Sequence, residues 1–563
     1  MVKKECFIYS WTVDQRCEAF TIIRAYGIDE NNKNVCLSIK DFTPYVYIEL
    51  PTTTIWTQGA VAALQDKMDE YLKEDKPVLY KLVYKRKLFY AHLNEKNEIK
   101  TFPFLLCAFN HDNIIKKRLN FLNYGVYILG SKMHFKVHEN NASPVLQLTS
   151  LRRISTACWV SFDGKEMTEN DKETYADFEY EVKWKTLTKV ETTKVARPLL
   201  MGYDIEVNSS NPNAFPNAEK DADKIFQISC VLARQGDNPC LWKKYLLTLG
   251  KADSASLENI ILQEYDKEFE LLNAFVALIK QHQPNIIIGY NIFTFDIPYT
   301  IHRAKHNLVF DTFCKQGIHK YNLATEKTIK WSSSAYGQQV FQFLDAEGRL
   351  FVDLLPLVKR DYKLNSYKLK TIATHFLKDM TKDPLDEKGI FYCYREGMKG
   401  GERGRKALSL VGKYCVKDSE LVVRLFETLT TWVALCEMSN ITNVPIFSLF
   451  TQGQQLKVFS QVYRKCSNEN TVVERNGYLS SESERYVGAT VFPPIPGIYE
   501  KVVPFDFNSL YPTSIIAKNI DYSTLVMDDK ISDDLCHVME WEEHFGCTHD
   551  IKIKRKRELD VII

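Results

Sequence analysis

The pattern of apolar and polar positions divides the chain into two kinds of region. Up to about residue 195, short apolar runs such as Val46-Tyr47-Ile48 alternate with polar turns, and this predicts a β-rich domain with a few helices. A polar stretch from about Thr186 to Thr193 is typical of a linker. Beyond it, longer apolar runs alternate with helical patterns, which predicts that an α/β domain follows.

The second region predicts an ordered series of elements. In chain order these are strands over 199–207, 225–232 and 241–249, a helix ending near Pro284, a strand at 286–288, a helix beginning near Pro298 and a strand over 350–355. The first helix carries an apolar stripe at helical spacing, formed by Leu272, Phe275, Val276 and Ile279. This order of strands and helices is that of a ribonuclease-H-like fold.

Helical patterns continue to about residue 430, with a flexible loop expected at 400–404, and again from about 435 to Lys465. Further on, 486–499 and 502–507 predict short strands, the second of which would deliver Asp506. We therefore predict three domains. They are an N-terminal β-rich domain over 1–195, a ribonuclease-H-like domain over 196–435 and the start of another domain over 436–563.

The composition is that of an ordinary globular protein, with 45% hydrophobic and 26% charged residues among 563. The formal net charge of +2 gives no bulk attraction for DNA, so a DNA-binding protein of this composition needs local basic patches. No apolar run is long enough to cross a membrane, and the N-terminus has no signal-peptide pattern. The 14 cysteines include no CxxC pair, which predicts reduced thiols in an intracellular protein.

Three other features each leave two interpretations open. Lys85-Arg86-Lys87, beside aromatic residues, suits contact with a single nucleic-acid strand and equally suits a strand edge protected by lysines. The basic run from Lys552 to Arg557 suits a nuclear address or a phosphate contact, although a solvated loop is favoured. Four further side chains suit a structural metal, although a surface loop is again favoured: His537, His544, Cys547 and His549.

The strongest chemical signal is a set of carboxylates. Asp204 and Glu206 lie two apart on a predicted strand, so their side chains project to the same face. Neighbouring carboxylates repel each other unless a cation lies between them, and hard oxygen ligands of this kind hold Mg²⁺ or Mn²⁺. Taken alone, the pair is better explained as two solvated acids on an edge strand.

Other polar residues strengthen the metal interpretation. Asp296 follows a buried strand and opens a helix, while Tyr414 and Asp418 share one helical face that also carries apolar residues. A carboxylate on a buried face needs a partner, which a metal ion can provide. Tyr414 could orient an attacking water, Asn291 could bind a substrate strand and Phe295 could wedge against its terminal bases. Two metal ions held in this way would form a phosphodiester-hydrolysing site.

These segments resemble the three exonuclease motifs of family-B DNA polymerases. The motifs are Asp204-Ile205-Glu206, the NxxxFD segment from Asn291 to Asp296 and the YxxxD segment from Tyr414 to Asp418. Other segments are similar to delta-like members of the family: KLNSYKL at 363–369, GQQLKV at 453–458, YVGA at 486–489, DFNSLYP at 506–512 and WEEHFGCTHD at 541–550. The combination favours a polymerase of a large DNA virus.

The resemblance implies particular roles. Asp204, Glu206, Asp296 and Asp418 would hold two Mg²⁺ or Mn²⁺ ions of a 3′–5′ exonuclease. In the polymerase part, four residues would act in nucleotidyl transfer: Asp506 and the Phe507 carbonyl as metal ligands, and Leu510 and Tyr511 as the floor of the nucleotide pocket. Tyr511 would also exclude a 2′-hydroxyl. Tyr486 and Gly488 would contact the template.

The sequence also departs from the family. A KxxxNSxYG helix and a YGDTDS hairpin are both missing, and the second would supply another metal-binding aspartate. We therefore expect that this chain alone cannot polymerise DNA and needs a C-terminal portion. That portion would be absent from this sequence because the sequence is partial, because an intein or intron interrupts it, or because a second chain supplies it. Expected partners are primer–template DNA and dNTPs, with a sliding clamp as a further candidate, in the nucleus or at a cytoplasmic viral replication site. A stand-alone nuclease and a non-catalytic DNA-binding scaffold are the alternatives.

Overall fold

The structure, a computed structural model, shows two compact units. It describes residues 4–541 and 554–559, apart from Gln15, Glu18, Thr193, Val195 and the ranges 334–336, 379–384 and 475–490. The first compact unit comprises Met1–Phe42 and Ser143–Arg464, and the second comprises Thr43–Ala142 and Lys465–Ile563. These boundaries differ from the predicted ones near 195 and 435. Because one compact unit can contain several domains, the three predicted domains stay a prediction.

The elements have the following bounds. The strands are β1 (Lys4–Asp14), β2 (Ile22–Ile28), β3 (Asn34–Ile39), β4 (Tyr45–Glu49), β5 (Leu79–Lys87), β6 (Phe102–Ala108), β7 (Val126–Ile128), β8 (Ser131–Met133), β9 (Val137–His138), β10 (Cys158–Phe162), β11 (Gly164–Glu166), β12 (Phe178–Val182), β13 (Thr188–Lys189), β14 (Leu199–Val207), β15 (Ile225–Arg234), β16 (Lys243–Leu249), β17 (Ile260–Tyr265), β18 (Ile286–Gly289), β19 (Thr325–Ser333), β20 (Gly337–Asp345), β21 (Leu350–Asp353), β22 (Thr471–Val472), β23 (Cys536–Trp541) and β24 (Lys554–Leu559).

The helices are α1 (Gln58–Leu72), α2 (Asp112–Lys117), α3 (Phe121–Tyr124), α4 (Pro144–Arg152), α5 (Glu268–His282), α6 (Asp296–His306), α7 (Phe310–Phe313), α8 (Leu354–Asp361), α9 (Leu369–Leu377), α10 (Glu387–Met398), α11 (Gly401–Thr428), α12 (Thr431–Thr442), α13 (Ser448–Thr451), α14 (Gln454–Asn468) and α15 (Leu510–Lys518). Among the helices within the described ranges, none has both the length and the apolar character that a membrane crossing requires.

The first compact unit contains a six-stranded sheet in the order β17-β16-β15-β14-β18-β21. Strands β14, β15 and β16 form an antiparallel meander, whereas β18 and β21 run parallel to β14. This order confirms the predicted ribonuclease-H-like α/β arrangement. Two features were not predicted, namely the half-buried edge strand β17 and the hairpin of β19 and β20 that precedes β21.

The apolar positions of these elements are buried in the pattern that the sequence predicts. β18 is buried at every position, as expected for a parallel strand that is covered on both faces. The predicted apolar stripe of α5 is confirmed, since Leu272, Phe275, Val276 and Ile279 are all buried. The core of the unit therefore forms between the sheet and the helices that cover it.

Helix α11 lies unusually close to the sheet. A Cβ atom at Gly202 in β14 would lie 2.6 Å from the Ser419 carbonyl oxygen of α11, so only glycine fits there without displacement. The Ser229 hydroxyl of β15 donates to the Cys415 carbonyl oxygen at 2.8 Å and lies 2.7 Å from the Ser419 hydroxyl. These contacts fix one face of α11 against the strand that carries Asp204 and Glu206.

The remaining sheets account for the predicted β-rich region. The first compact unit also contains a seven-stranded sheet in the order β11-β12-β3-β2-β1-β10-β13. Because β13 pairs with β10, the stretch predicted as a linker contributes an edge strand. The second compact unit contains a five-stranded sheet in the order β22-β5-β6-β4-β9 and the hairpins β7–β8 and β23–β24.

Several predicted boundaries were wrong. The strand predicted over 502–507 is absent from the described residues, where this run is irregular and exposed. Pro504 lacks a backbone N–H, and no neighbouring strand pairs with the run. Residues 491–499 are likewise not a strand. The loop expected at 400–404 is helical from Gly401, and the strand expected over 350–355 ends at Asp353, where α8 begins.

A buried ion pair fixes the end of the long loop that joins β14 to β15. Arg303 of α6 is completely buried, and its Nε donates to Glu268 Oε1 at 2.9 Å. Its Nη1 donates to the carbonyl oxygens of Ala218 and Lys220 at 2.8 and 2.9 Å, while Glu268 accepts the N–H of Ile225 at 2.8 Å. Two helices, a loop and a strand therefore meet at one charged pair.

Replacing Arg303 by methionine should destabilise the protein by ~3–5 kcal/mol, because Glu268 would remain buried without its counter-charge. The change is measured as a shift in the urea-unfolding midpoint. The matched control is Lys305→Met on the same helix, which removes an exposed ion pair with Glu326 and should cost ~1 kcal/mol or less. Equal losses in both variants would contradict a structural role for the buried pair.

Candidate active site

The two carboxylates on β14 face the same side of the sheet. An oxygen of Asp204, an oxygen of Glu206 and the sulfur of Cys415 all lie within 4.8 Å of one another. Glu206 is buried and Asp204 is half-buried. The pairing predicted from their spacing on a strand is therefore present, and it lies under helix α11.

Asp296 approaches the same strand from the start of α6. Its buried carboxylate accepts a hydrogen bond from the Ile205 N–H, which lies between the two β14 carboxylates. Burial raises the pKa of Asp296 to about 7, and the charges of Asp353 and Asp418 add to the increase. The hydrogen bond from Ile205 opposes this increase but does not cancel it.

Helix α11 contributes Tyr414, Cys415 and Asp418, all of which are buried. The Cys415 thiol donates to the Asp204 carbonyl oxygen at 3.7 Å. Burial raises the pKa of Cys415 well above its usual range, and the nearby charges of Asp204, Glu206 and Asp418 raise it further. Cys415 is therefore a neutral thiol that packs against the carboxylates. Asp418 lies close enough for its charge to raise the pKa of this thiol.

The arrangement fits a divalent metal site. Three elements, β14, α6 and α11, bring four carboxylates into a setting with little water, where their mutual repulsion is costly. Carboxylate oxygens are the ligands that Mg²⁺ and Mn²⁺ prefer, whereas a neutral thiol is a poor one. Asp204, Glu206, Asp296 and Asp418 are the residues that would hold such ions, and this role stays a prediction.

Asp353 is a residue of the candidate site that the sequence prediction missed. It is 1% exposed at the end of β21. Its Oδ1 accepts the N–H groups of Asn291 at 2.7 Å and of Leu355 at 3.0 Å, and its Oδ2 accepts the N–H of Phe293 at 3.1 Å. Asn291 has a φ of +67°, so one carboxylate holds a turn in an unusual conformation. Its position after a buried strand and before a helix resembles that of Asp296 and was an available signal.

The aromatic residues of the same loop divide between core and surface. Phe293 is buried among other phenylalanines, with ring centroids of Phe343 and Phe341 at 5.8 and 5.7 Å. Phe295 is half-buried and contacts the edge of Phe215 at 5.2 Å. Asn291 is also half-buried, and its side-chain oxygen accepts a hydrogen bond from the Thr294 hydroxyl. The two residues predicted to contact a substrate strand therefore lie partly at the surface.

The predicted polymerase residues are not assembled into a comparable site. Asp506, Phe507, Leu510 and Tyr511 are exposed, at the start of α15 and just before it. Among the side chains that the structure describes, Asp506 joins no group of three potential metal ligands. Tyr486 and Gly488 lie outside the described residues, as do three of the four candidate ligands of a structural metal, namely His544, Cys547 and His549; His537 lies on β23.

The basic patch at Lys85-Arg86-Lys87 is less available than its sequence indicates. All three side chains are half-buried on β5, which pairs with β22. Lys87 forms an ion pair with Glu49, and burial lowers the pKa of Lys85. These contacts favour a structural role over a nucleic-acid contact.

Comparison with known families finds two matches along the chain. Residues 135–372 match the family described as DNA polymerase family B, exonuclease domain, and residues 444–559 match DNA polymerase family B. The first match contains Asp204, Glu206 and Asp296, and the second contains Asp506 and Tyr511. Asp418 lies between the two matched ranges.

Individual proteins show the same similarity. DNA polymerase 120R of Invertebrate iridescent virus 3 is 42% identical over 99% of the chain and 50% of its own length. The DNA polymerase delta catalytic subunit of Candida albicans is 30% identical over 91% of the chain and 47% of its own length. The chain thus spans about half the length of these relatives. The family B DNA polymerase of the hyperthermophilic archaeon Pyrobaculum calidifontis has a similar fold, with a TM-score of 0.62 and 18% identity over 93% of the chain and 58% of that structure.

Asp353→Ala should loosen the loop that carries Asn291 and Asp296, because two backbone N–H groups of the loop, those of Asn291 and Phe293, lose their acceptor at ~1–3 kcal/mol each. We expect amide hydrogen exchange in a peptide covering 289–296 to become about tenfold faster or more. Asp345→Ala, which removes an exposed ion pair on β20, is the control and should leave this peptide unchanged. Unchanged exchange in Asp353→Ala would show that the loop holds its shape without the carboxylate.

Proposed function

Because the chain belongs to family B of the DNA polymerases, we propose that its first compact unit removes nucleotides from the 3′ end of a DNA strand by metal-dependent hydrolysis. The observation that carries this proposal is the convergence of Asp204, Glu206, Asp296 and Asp418 from three elements. Hydrolysis adds water across the terminal P–O3′ bond and releases a nucleoside 5′-monophosphate. The shortened strand then ends in a 3′-hydroxyl.

Each residue of the candidate site has a role in this reaction. The four carboxylates bind two Mg²⁺ or Mn²⁺ ions, which when bound supply an activated water and stabilise the leaving oxygen. The Tyr414 hydroxyl orients the attacking water. Asn291 hydrogen-bonds to the substrate strand, and Phe295 packs against its terminal base. Asp353 positions the loop that carries both residues.

Hydrolysis at this site would serve proofreading. A mispaired primer end separates from its template more readily than a paired one, so it is more often single-stranded. We propose that the site acts on an unpaired strand and not on a duplex. The mispaired nucleotide is therefore the one that is removed.

The whole protein is proposed to be a DNA-directed DNA polymerase that acts on primer–template DNA and dNTPs. Asp506 and the Phe507 carbonyl would bind its metal ions, and Leu510 and Tyr511 would form the floor of the nucleotide pocket. Support comes from the match of residues 444–559 and from the exposed apolar residues in this part of the second unit. Six of these are more than 79% exposed: Val491, Phe492, Ile495, Ile498, Phe505 and Ile516.

An apolar surface of this extent is usually covered by another part of a protein. We propose that the portion equivalent to the unmatched half of the relatives covers it, in the same protein or as a second chain. Polymerisation would depend on that portion. The protein would act wherever the DNA is replicated inside the cell, and a sliding clamp remains an unassigned partner.

The two alternatives each meet an objection. The activity of a stand-alone nuclease would not require residues 444–559, which match the polymerase family. A non-catalytic DNA-binding scaffold would not require four carboxylates that are costly to bury together. We therefore retain the proofreading polymerase as the proposed function.

Replacing Asp204 and Glu206 together by alanine should lower nucleotide release by at least ~100-fold, since even outer-shell changes at metal sites cost ~10–100-fold. Release is measured with a 5′-labelled primer–template and Mg²⁺. Binding of Mn²⁺ to the protein, followed by electron paramagnetic resonance, should weaken in parallel, while DNA binding persists.

The control for this experiment is Glu258→Ala, which removes an exposed carboxylate of the same unit. It should leave nucleotide release and Mn²⁺ binding unchanged. Undiminished release by the Asp204→Ala/Glu206→Ala variant would refute the site assignment.

Tyr511→Ala should increase ribonucleotide incorporation once the remaining polymerase portion is supplied, because the side chain would no longer block a 2′-hydroxyl. Tyr511→Phe should retain discrimination, since the ring is kept. Incorporation is measured by primer extension with each nucleotide type. The exposed Tyr522→Ala is the control, and discrimination that survives in Tyr511→Ala would remove the proposed steric role.

A further inference from the structure

One surface of the second compact unit combines cations with exposed aromatic rings. The segment from residue 113 to residue 138 contains no aspartate or glutamate, although acidic and basic residues are almost balanced over the whole chain, 71 against 73. Its basic residues are Lys116, Lys117, Arg118, Lys132 and Lys136. Lys116 and Arg118 pair with Asp112 and Asp75, whereas none of the ion pairs between described residues involves the other three lysines.

The hairpin of β7 and β8 presents the centre of this surface. Tyr127 and Lys132 are directly opposite each other in the antiparallel pair, and both are exposed, so they share the outward face. Tyr124 precedes the hairpin and is 76% exposed, and Tyr127 is 70% exposed. Because both rings are largely exposed, neither is explained by packing in the core of the unit.

The side chains of Lys132 and His134 lie close to the turn at Gly125, which follows Tyr124. Gly125 has a φ of +94°, and a Cβ atom there would lie 2.8 Å from Lys132 Cε and 3.0 Å from His134 Cε1. His134 Nδ1 also lies 3.0 Å from the Asn123 carbonyl oxygen. Both side chains therefore lie against the backbone at Gly125, the residue that follows Tyr124. We call Tyr124, Tyr127, Lys132 and His134 the basic hairpin surface.

The inner side of the same segment holds this surface in place. Phe121, Leu122 and Ile128 are buried in the hydrophobic core of the unit, together with Phe135 just after β8. The backbone that carries the tyrosines is therefore anchored on its apolar side. Substitution of the outward side chains should leave that core intact.

We propose that the basic hairpin surface binds single-stranded DNA. Exposed tyrosine rings can stack on unpaired bases, and lysines beside them neutralise the adjoining phosphates, which is how single strands are commonly bound. A duplex offers phosphates but no free base faces, and an acidic peptide offers no planar bases. The inference does not rest on the proposed hydrolysis, since none of these residues belongs to the carboxylate site.

The test uses the full chain and a fluorescently labelled oligothymidine, with a chelator present so that hydrolysis cannot occur. Binding is followed by fluorescence anisotropy across a range of salt concentrations. Tyr124→Ala and Tyr127→Ala should each weaken binding by about fivefold or more, with the salt dependence unchanged. Tyr127→Phe should restore the affinity, because the ring is retained.

The charge contribution is tested separately. Lys132→Gln should make the plot of log affinity against log salt shallower by ~0.7, the value expected for one phosphate contact in a single strand. The exposed Tyr321→Ala in the first compact unit is the matched control and should bind as the unchanged chain does. Asp204→Ala/Glu206→Ala should also bind normally, which separates failure of this inference from failure of the proposed hydrolysis.

Three outcomes would overturn the proposal. Unchanged affinity in both tyrosine variants would exclude stacking. Loss of affinity in Tyr127→Phe equal to that in Tyr127→Ala would point to the hydroxyl rather than the ring. Equal losses for a blunt duplex probe would show that the surface contacts phosphates alone and does not select single strands.

Discussion

The close approach of α11 to β14 is the constraint on which the candidate site depends. At Gly202 the two backbones are so near that a Cβ atom would lie 2.6 Å from the Ser419 carbonyl oxygen. This approach allows Asp418 on the helix and Asp204 on the strand to act on the same small region, as their shared effect on Cys415 shows. A larger residue at 202 would push the helix outward and change the separations among the carboxylates, because packed interiors transmit such shifts.

That contact concentrates negative charge where little water can screen it. Asp296 and Asp418 are 3% and 4% exposed, and burial of charge is costly unless partners compensate for it. Backbone N–H groups offset part of the cost, two at Asp296, its own and that of Ile205, and three at Asp353. The pKa of Asp296 is nevertheless raised to about 7 and that of Asp353 to about 6, chiefly by burial, so the compensation is incomplete. Function explains this arrangement better than stability does.

Local patterns predicted the parts of the site that depend on local geometry. Asp204 and Glu206 could be paired because strand side chains alternate, and the helical spacing of Tyr414 and Asp418 placed both on a buried face. The position of Asp353 between a buried strand and a helix was an available signal, but its hydrogen bond to Asn291 joins a loop 62 residues away in sequence, which no local pattern could reveal. The apolar run at 502–507 failed as a strand because a strand also needs a neighbour, which propensity alone does not provide.

The near-neutral net charge of +2 conceals a local separation of charge. Under these proposals the carboxylate site would repel a DNA backbone until a divalent cation is bound, whereas the basic hairpin surface would attract a strand without one. Ionic strength would therefore control DNA binding at the basic hairpin surface, and the divalent cation would control DNA binding at the carboxylate site. Because the net charge of the chain offers no long-range attraction, the proposed binding of DNA would depend on short-range contacts at a few such residues.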